Sequence, residues 1–247
     1  MSSMLFLLLA CRTTTIAPDG GAPVLALANC VGTMLFDVGV DSIADGIWVF
    51  TYNNQGEPSS AVYDSKADGT EDSRMDYVYE SDLLASRLWD GDNNGVVDTE
   101  TTYFYDLGNY LLESREDQGV DGVAEKRSVW ELEDGLKQVQ RNMSGESLED
   151  VTEEGYYSWE ETENGEFYQV SMQWHPTNNT GDALVTYTYN DQWLAITEEI
   201  DQKMDGMVDQ REIYTWDEQG RKLITDKDTN ADGIADYRSS WTYVCDQ

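Results

Sequence analysis

The sequence predicts an all-β fold of tandem antiparallel β-hairpins, about eight in number and ~27 residues each, that form a closed or nearly closed twisted sheet. Three observations predict this fold. An acidic nine-residue segment recurs at near-constant spacing, alternating aromatic residues follow each copy, and turn sequences come next. Each repeat is therefore expected to contain a loop, a strand, a tight turn and a second strand.

The acidic segments carry an acidic or amide residue at their first, fifth and ninth positions, usually with Gly at the sixth. The clear copies span residues 37–45, 64–72, 90–98, 117–125, 201–209 and 228–236. Two degenerate copies, 142–150 and 174–182, keep the same register, and the longer step between them indicates an insertion in the fifth repeat. Such self-similarity at a fixed period is typical of a repeat architecture.

Aromatic residues stand five and seven positions after the last acidic residue of most copies, as Tyr77 and Tyr79 do after Asp72. Alternation with period two places both rings on one face of a strand. The opposite face carries mostly polar residues, such as Arg211 and Thr215. We therefore expect a sheet that buries only its aromatic face.

Turn chemistry follows the aromatic residues. Segments 53–56 (Asn-Asn-Gln-Gly) and 217–220 (Asp-Glu-Gln-Gly) end in Gly, which adopts positive φ without steric cost. A short second strand, such as residues 221–225, is predicted after each turn.

Two cysteines occupy matching positions in this register. Cys245 follows the first strand of the eighth repeat, and Cys30 stands where other repeats begin their second strand. The strand around residues 25–36 would then complete the eighth hairpin, with a Cys30–Cys245 disulfide in place of its turn. This hypothesis predicts a closed sheet without exposed edges. The alternative is two unrelated buried thiols.

The N-terminal apolar run ends in Leu-Leu-Ala-Cys11, which resembles the lipobox of bacterial lipoprotein signal peptides. The resemblance implies a signal peptide at residues 1–10, a lipid on Cys11, a flexible tether at 11–24 and a repeat domain at 25–247. It also implies the bacterial envelope, as an outer-membrane lipoprotein facing the periplasm or the surface. The alternatives are an ordinary cleaved signal peptide and a buried N-terminal strand.

Two further resemblances concern the repeats. Residues 214–225, Tyr-Thr-Trp-Asp-Glu-Gln-Gly-Arg-Lys-Leu-Ile-Thr, resemble the Tyr-Asp repeat of Rhs proteins, which implies large β-hairpin sheets. No toxin domain accompanies them, so the resemblance does not extend to toxin encapsulation. The acidic segments resemble the front of an EF-hand loop and the thrombospondin type 3 repeat, which implies calcium binding.

Calcium needs six to eight oxygen ligands, and alternate side chains of a tightly turned loop converge on one point. Loops 90–98 and 228–236 are the best candidates, because they supply oxygens at positions 1, 3, 5 and 9. Lys66 and Lys203 occupy position 3 in two other loops, and only Glu212 matches the twelfth-position Glu of an EF-hand, so the loops are expected to bind calcium weakly or to share ions with neighbouring loops. The alternative is that Asp and Gly simply form exposed turns. The candidate ligands are Asp37, Asp41, Asp45, Asp64, Asp68, Asp72, Asp90, Asp92, Asn94, Asp98, Asp117, Asp121, Asp201, Asp205, Asp209, Asp228, Asn230, Asp232 and Asp236.

Charge and motifs narrow the function. A net charge of -34 excludes nucleic acid and anionic lipid surfaces as natural partners, because like charges repel. The single histidine, His175, and the lack of a nucleophile or phosphate motif argue against an enzyme. We expect a calcium-stabilised surface scaffold or adhesion module with a protein or glycan partner. The alternative is a carbohydrate-binding or carbohydrate-active protein that uses carboxylates and the fifth-repeat aromatics Tyr156, Tyr157, Trp159, Phe167, Tyr168 and Trp174.

Overall fold

The computed structural model describes residues 27–133, 136–144, 150–161, 167–176 and 181–245. The predicted signal peptide, the lipidation site Cys11 and the tether lie outside these residues. Within the described ranges, no helix has the length and apolar character needed to cross a membrane.

The described residues form sixteen β-strands, which confirms the all-β prediction. Their bounds are β1 Cys30–Val38, β2 Gly46–Tyr52, β3 Pro58–Asp64, β4 Ser73–Glu80, β5 Leu83–Asp90, β6 Thr99–Tyr105, β7 Leu111–Gln118, β8 Lys126–Glu133, β9 Leu136–Ser144, β10 Asp150–Glu161, β11 Phe167–Pro176, β12 Ala183–Tyr189, β13 Ala195–Asp201, β14 Gln210–Trp216, β15 Lys222–Asp228 and β16 Tyr237–Cys245.

The sheet is a closed barrel in which every strand pairs antiparallel with its sequence neighbours and β1 pairs with β16. The closing register runs from Cys30 opposite Cys245 to Val38 opposite Tyr237. The predicted disulfide joins Cys30 to Cys245 across a sequence separation of 215 residues. Closure and the disulfide are therefore both confirmed, and each of the sixteen described strands is paired on both sides.

The connections of the barrel fall into two classes, one at each end, because successive strands run in opposite directions. The acidic segments lie together at one end, called here the acidic rim, and the short turns lie at the other, called the turn end. The disulfide belongs to the turn end, where it replaces the turn of the eighth hairpin. Parts of the two degenerate acidic copies, residues 145–149 and 177–180, lie outside the described residues.

Tight turns of one design recur at the turn end. The Asn53 Oδ1 atom accepts the backbone N–H groups of Gln55 and Glu57, both at 2.9 Å, and Gly56 adopts a φ of +80°. The same side-chain bonds start the turns at Asp106, Asn190 and Asp217. These are the turns that the Asx and Gly residues predicted.

The interior of the barrel contains the aromatic face, as predicted. Met34, Phe50 and Ala61 are buried, and Trp48 and Trp241 pack against them. The rings of Phe50 and Trp241 lie 5.2 Å apart between strands that flank β1, so the cluster spans the closing seam. Hydrophobic contact across the seam therefore reinforces the disulfide.

Glycine makes room for the largest interior rings. A Cβ atom on Gly155 would lie only 2.4 Å from the Trp174 ring, and one on Gly32 would lie 3.1 Å from Tyr52 and 3.2 Å from Tyr243. An aromatic ring that covers a glycine on the neighbouring strand protects the exposed backbone there and fixes the strand register.

Candidate functional site

Each acidic loop folds around its own carboxylates. In loop 90–98 the Asp90 carboxylate accepts the backbone N–H groups of Asn94 at 3.1 Å and Gly95 at 2.7 Å. The Asp98 carboxylate accepts the N–H of Gly91 at 2.7 Å, and the Asn94 Oδ1 atom accepts that of Val96 at 2.8 Å. The loop is thus a cage of N–H groups pointing at oxygens, which satisfies backbone donors that strand pairing leaves free.

The same pattern recurs in the other five clear loops. It requires left-handed backbone at the fourth position, where φ lies between 51° and 53°. The fourth residues are Val40, Ala67, Asn93, Val120, Met204 and Ala231. Since left-handed backbone is unfavourable for most of these residue types, the carboxylate bonds must hold each loop in place.

Carboxylate oxygens converge most closely in two neighbouring loops. Ligand atoms of Asp90, Asp92 and Asp98 all lie within 4.8 Å of one another, and so do those of Asp117, Asp121 and Glu125. The first group contains three of the four predicted ligands of loop 90–98. The second contains Glu125, which fills the ninth position of its loop and is not among the predicted ligands.

The other predicted ligand sets do not form such groups in the described part of the chain. In loop 228–236 the third position is the amide Asn230 rather than a carboxylate, so Asp228, Asp232 and Asp236 stand without a third-position carboxylate between them. In loops 64–72 and 201–209, lysine occupies that position. Loop 37–45 has Gly39 at the third position, as loop 117–125 has Gly119, but its ninth residue is Asp45 where loop 117–125 has the longer Glu125.

Hydrogen bonds keep the first carboxylate of several loops ionised. Burial acts to raise the pKa of Asp90, but N–H bonds from Gly95 and Asn94 outweigh it and lower that pKa. The balance is the same for Asp64, whose pKa the N–H groups of Gly69 and Lys66 lower. These carboxylates are therefore anionic well below neutral pH and present charge to a cation.

Neighbouring loops touch through their backbones. The N–H of Gly119 donates to the carbonyl of Asp98 at 2.6 Å, and the N–H of Gly39 donates to the carbonyl of Asp236, also at 2.6 Å. In both cases a loop with Gly at its third position binds the last residue of the loop before it. The two best candidate loops, 90–98 and 228–236, are therefore each braced by a glycine-type neighbour.

A second polar cluster faces the interior, on strands β13 to β15. The Tyr214 hydroxyl donates to Glu198 at 3.2 Å and Glu212 at 3.0 Å, and the Lys227 Nζ atom lies 2.8 Å from Glu212. The Lys222 Nζ atom lies 4.3 Å from the centre of the Tyr214 ring. Burial and the neighbouring carboxylate of Glu212 raise the pKa of Glu198, so this carboxyl group keeps its proton to a higher pH than an exposed glutamate does. This cluster was not predicted, although the spacing of two places Glu212 on the same strand face as Tyr214.

Aromatic residues of the fifth-repeat insertion divide between the two faces. Tyr157 faces the interior, where its hydroxyl donates to Gln140 at 2.6 Å, and Trp174 covers Gly155 on the same face. Tyr156 lies outside, partly exposed, against the ring of His175. The side chain of Phe167 lies outside the described residues. The predicted aromatic patch is therefore not one continuous surface.

No family model matches this sequence, and no curated protein sequence matches it either. Solved structures do match. The chain is similar to a porin-like protein from Bacteroides uniformis, with a TM-score of 0.53 and 10% identity, over 88% of this chain and 98% of that one. This likeness shows the fold alone.

Weaker similarities connect the chain to TcdB2-TccC3 structures. One, in complex with Cdc42, has a TM-score of 0.32 and 12% identity over 75% of this chain. The other has a TM-score of 0.35 and 11% identity over 83% of this chain. This chain spans 13% of the length of those chains.

Proposed function

We propose that this chain is a lipid-anchored β-repeat scaffold of the bacterial envelope whose acidic rim binds calcium and presents a binding or adhesion surface. The observation that supports it best is the convergence of Asp90, Asp92 and Asp98 within 4.8 Å. Three carboxylates at that separation repel one another strongly, and a divalent cation among them would turn the repulsion into attraction.

The hydrogen-bonded cage is compatible with this role. A carboxylate has about four lone-pair positions, so Asp90 can accept two N–H bonds and still offer an oxygen to a cation. Asp92 Oδ1 accepts only a long bond of 3.3 Å from the N–H of Asn94. In loop 90–98 the side chains of Asp90, Asp92, Asn94 and Asp98 would hold the ion. Carbonyl oxygen or water would complete its shell.

The third position separates the six clear loops into three groups, of which one has glycine there, at Gly39 and Gly119. Asp92 and Asn230 add an oxygen to their loops, whereas Lys66 and Lys203 add a positive charge to theirs. The charge of Lys66 helps to lower the pKa of Asp72, after the Ser65 hydroxyl and backbone N–H. In loop 64–72 the charge of Lys66 thus takes over part of the neutralisation that a metal ion would provide.

Thermal unfolding of the purified chain tests the proposal, first in chelator and then in a calcium series with magnesium as the control. We expect a saturable rise in Tm that calcium produces and magnesium does not. Asp92→Ala should reduce the rise in Tm, and the double variant Asp92→Ala and Asp232→Ala should reduce it more. Lys66→Ala, the matched change at the third position of a lysine loop, should not reduce it. Equal effects of calcium, magnesium and simple salt would refute calcium binding.

The membrane anchor is proposed on the lipobox resemblance of Leu-Leu-Ala-Cys11. Strand β1 begins at Cys30 at the turn end, so a tether from Cys11 would join the barrel there and leave the acidic rim facing away from the membrane. Expression of Cys11→Ser tests the anchor, since the variant should move from the membrane fraction to the soluble fraction. Retention of the variant in the membrane would contradict it.

Glycan binding is the second candidate, and one interior network favours it. The Gln140 Oε1 atom accepts bonds from Trp130 at 3.1 Å and Tyr157 at 2.6 Å, while Asn142 bonds Ser128 at 2.7 Å. Rings beside amide and hydroxyl groups suit the apolar faces and hydroxyls of a sugar. A soluble-glycan screen that compares the unmodified chain with Trp130→Ala would test it. Equal glycan binding by both proteins would show that this interior network is not a glycan-binding site.

A further inference from the structure

The tips of the acidic loops carry exposed aliphatic side chains. At the seventh position of five of the six clear loops the residue is apolar and between 63 and 72% exposed. These residues are Ile43, Val96, Val123, Met207 and Ile234. The sixth loop has Thr70 there. They are called here the rim tips.

Folding of the loop does not require an apolar side chain at this position. The seventh residue contributes its backbone N–H, as Val96 does to Asn94 at 2.8 Å and Ile234 does to Asp232 at 2.8 Å. Any residue except proline supplies that donor. The eighth residue is the one that turns inward, since Val97 and Val208 are half-buried. The tips therefore expose apolar surface to water without any gain in loop stability.

All rim tips lie at the same end of the barrel, because the loops that carry them do. Adjacent loops are joined by backbone bonds between Gly39 and Asp236, and between Gly119 and Asp98, which makes loop pairs of 228–236 with 37–45 and of 90–98 with 117–125. Each pair thus presents two aliphatic tips on a braced backbone. Exposed apolar groups on a polar, charged border are typical of a protein interaction site.

We propose that the acidic rim docks a cationic protein surface that carries apolar side chains between its Lys or Arg residues. Charge complementarity selects this partner, since the full chain has a net charge of -34 and every clear loop carries at least three acidic residues. A second copy of the chain or an anionic bilayer would bring like charges together. The tips supply the buried apolar contact, and the carboxylates orient the approach and speed it.

Direct binding tests this proposal in chelator, so that it does not depend on the calcium sites. The probes are a synthetic peptide of alternating Lys and Leu and a peptide of equal length and charge with Ser in place of Leu. The full chain should bind the Lys/Leu peptide more tightly. The triple variant Val96→Ser, Val123→Ser and Ile234→Ser should lose about tenfold or more in affinity for that peptide, since each tip loses apolar contact. Its affinity for the Lys/Ser peptide should not change.

The matched control is Val244→Ser, which removes an aliphatic side chain of similar exposure, 74%, at the turn end. It should bind both peptides like the unmodified chain, and all variants should keep their Tm because the changed side chains are exposed. Equal affinity for the two peptides would mean attraction by charge alone and would overturn the proposal. So would an equal loss in Val244→Ser, preferential binding to anionic vesicles, or self-association that depends on the tips.

Discussion

The two ends of the barrel reverse the chain in related ways, yet the acidic rim uses far more charge than the turn end. At the turn end one Asx side chain, such as Asn53, accepts two N–H groups and completes the reversal. At the rim the first carboxylate, such as Asp90, does the same with the N–H groups four and five residues later. Further carboxylates then follow at the third, fifth or ninth position.

At the rim the residues at the fifth and ninth positions also accept backbone N–H groups, as Asn94 and Asp98 do, so loop folding uses three side chains where the turn end uses one. A scaffold that needed only compact connections could have used the four-residue turn at both ends. The longer loop brings acidic oxygens together and exposes the rim tips, at the expense of mutual repulsion. The turn end thus reverses the chain with little charge, and the heavier use of charge at the rim agrees with the recognition role proposed for it.

Removal of the disulfide should give the largest effect on stability, because it opens the turn end. The double variant Cys30→Ser and Cys245→Ser releases a loop of 215 residues, for which the chain-entropy estimate is about 5 kcal/mol. Chemical denaturation of the variant beside the unmodified chain measures this loss. Since β1 and β16 remain paired along nine residues, the variant should still fold.

An unchanged free energy of unfolding would show that strand pairing and the seam cluster close the barrel without the disulfide. Reduction of the unmodified chain by a thiol provides the control, since it should reproduce the effect of the double variant without any change of side chain.

The second prediction compares the first carboxylate at each end. Asp90→Ala leaves the N–H of Gly95 without an acceptor and that of Asn94 with only its long bond to Asp92, and Asp106→Ala leaves the N–H groups of Gly108 and Tyr110 without one. Both should lower Tm, and Asp90→Ala should lower it more because Asp90 is buried. The conservative Asp90→Asn, which keeps an acceptor, should recover part of the loss. A larger fall for Asp106→Ala would mean that the rim loops are held by something other than their carboxylates.

Much of this fold could be predicted because the repeat fixes the register. The position of Cys30 and Cys245 within one common hairpin was sufficient to predict both the disulfide and the closure of the sheet. Acidic residues at constant spacing likewise predicted that Asp90 and Asp98 would lie in one loop. Such predictions use only the position of a residue within its repeat, and they hold as long as every repeat has the same length.

Prediction failed where the side-chain face or the loop partner depends on neighbouring strands. The strand register shifts between Ser158 and Trp159, so alternation alone could not assign the fifth-repeat aromatics to a face. Interior charges such as Glu198 were unexpected because a buried wall of carboxylates contradicts simple apolar patterning. Contacts between loops, such as that of Gly119 with Asp98, join residues of different repeats, and the sequence of neither repeat alone indicates them.

The third prediction concerns the backbone of the rim, where a branched residue stands in left-handed conformation. Val120 has a φ of 51°, so Val120→Gly should stabilise the chain by roughly 1 kcal/mol, and Val120→Asn should stabilise it by somewhat less. The matched change Asn93→Gly should not stabilise the chain, because Asn already tolerates this conformation and its amide also donates long bonds of 3.4 and 3.3 Å to Glu71. Equilibrium denaturation in chelator measures all three. Destabilisation by Val120→Asn would show that the valine side chain makes a contact that outweighs the backbone strain.

The smallest effect is expected from the rings that join neighbouring hairpins at the turn end. The Tyr105 hydroxyl donates to the carbonyl of Leu84 at 3.0 Å, and Tyr243 makes the same bond to Lys222 at 3.0 Å. Tyr105→Phe should destabilise the barrel by about 0.5 to 1 kcal/mol, since the ring stays while one hydrogen bond is lost. Tyr103 faces the same interior and has no hydrogen-bond partner in the described part of the chain, so Tyr103→Phe is the matched control and should be neutral. If the two variants unfold alike, these hydrogen bonds do not strengthen the connection between neighbouring hairpins at the turn end.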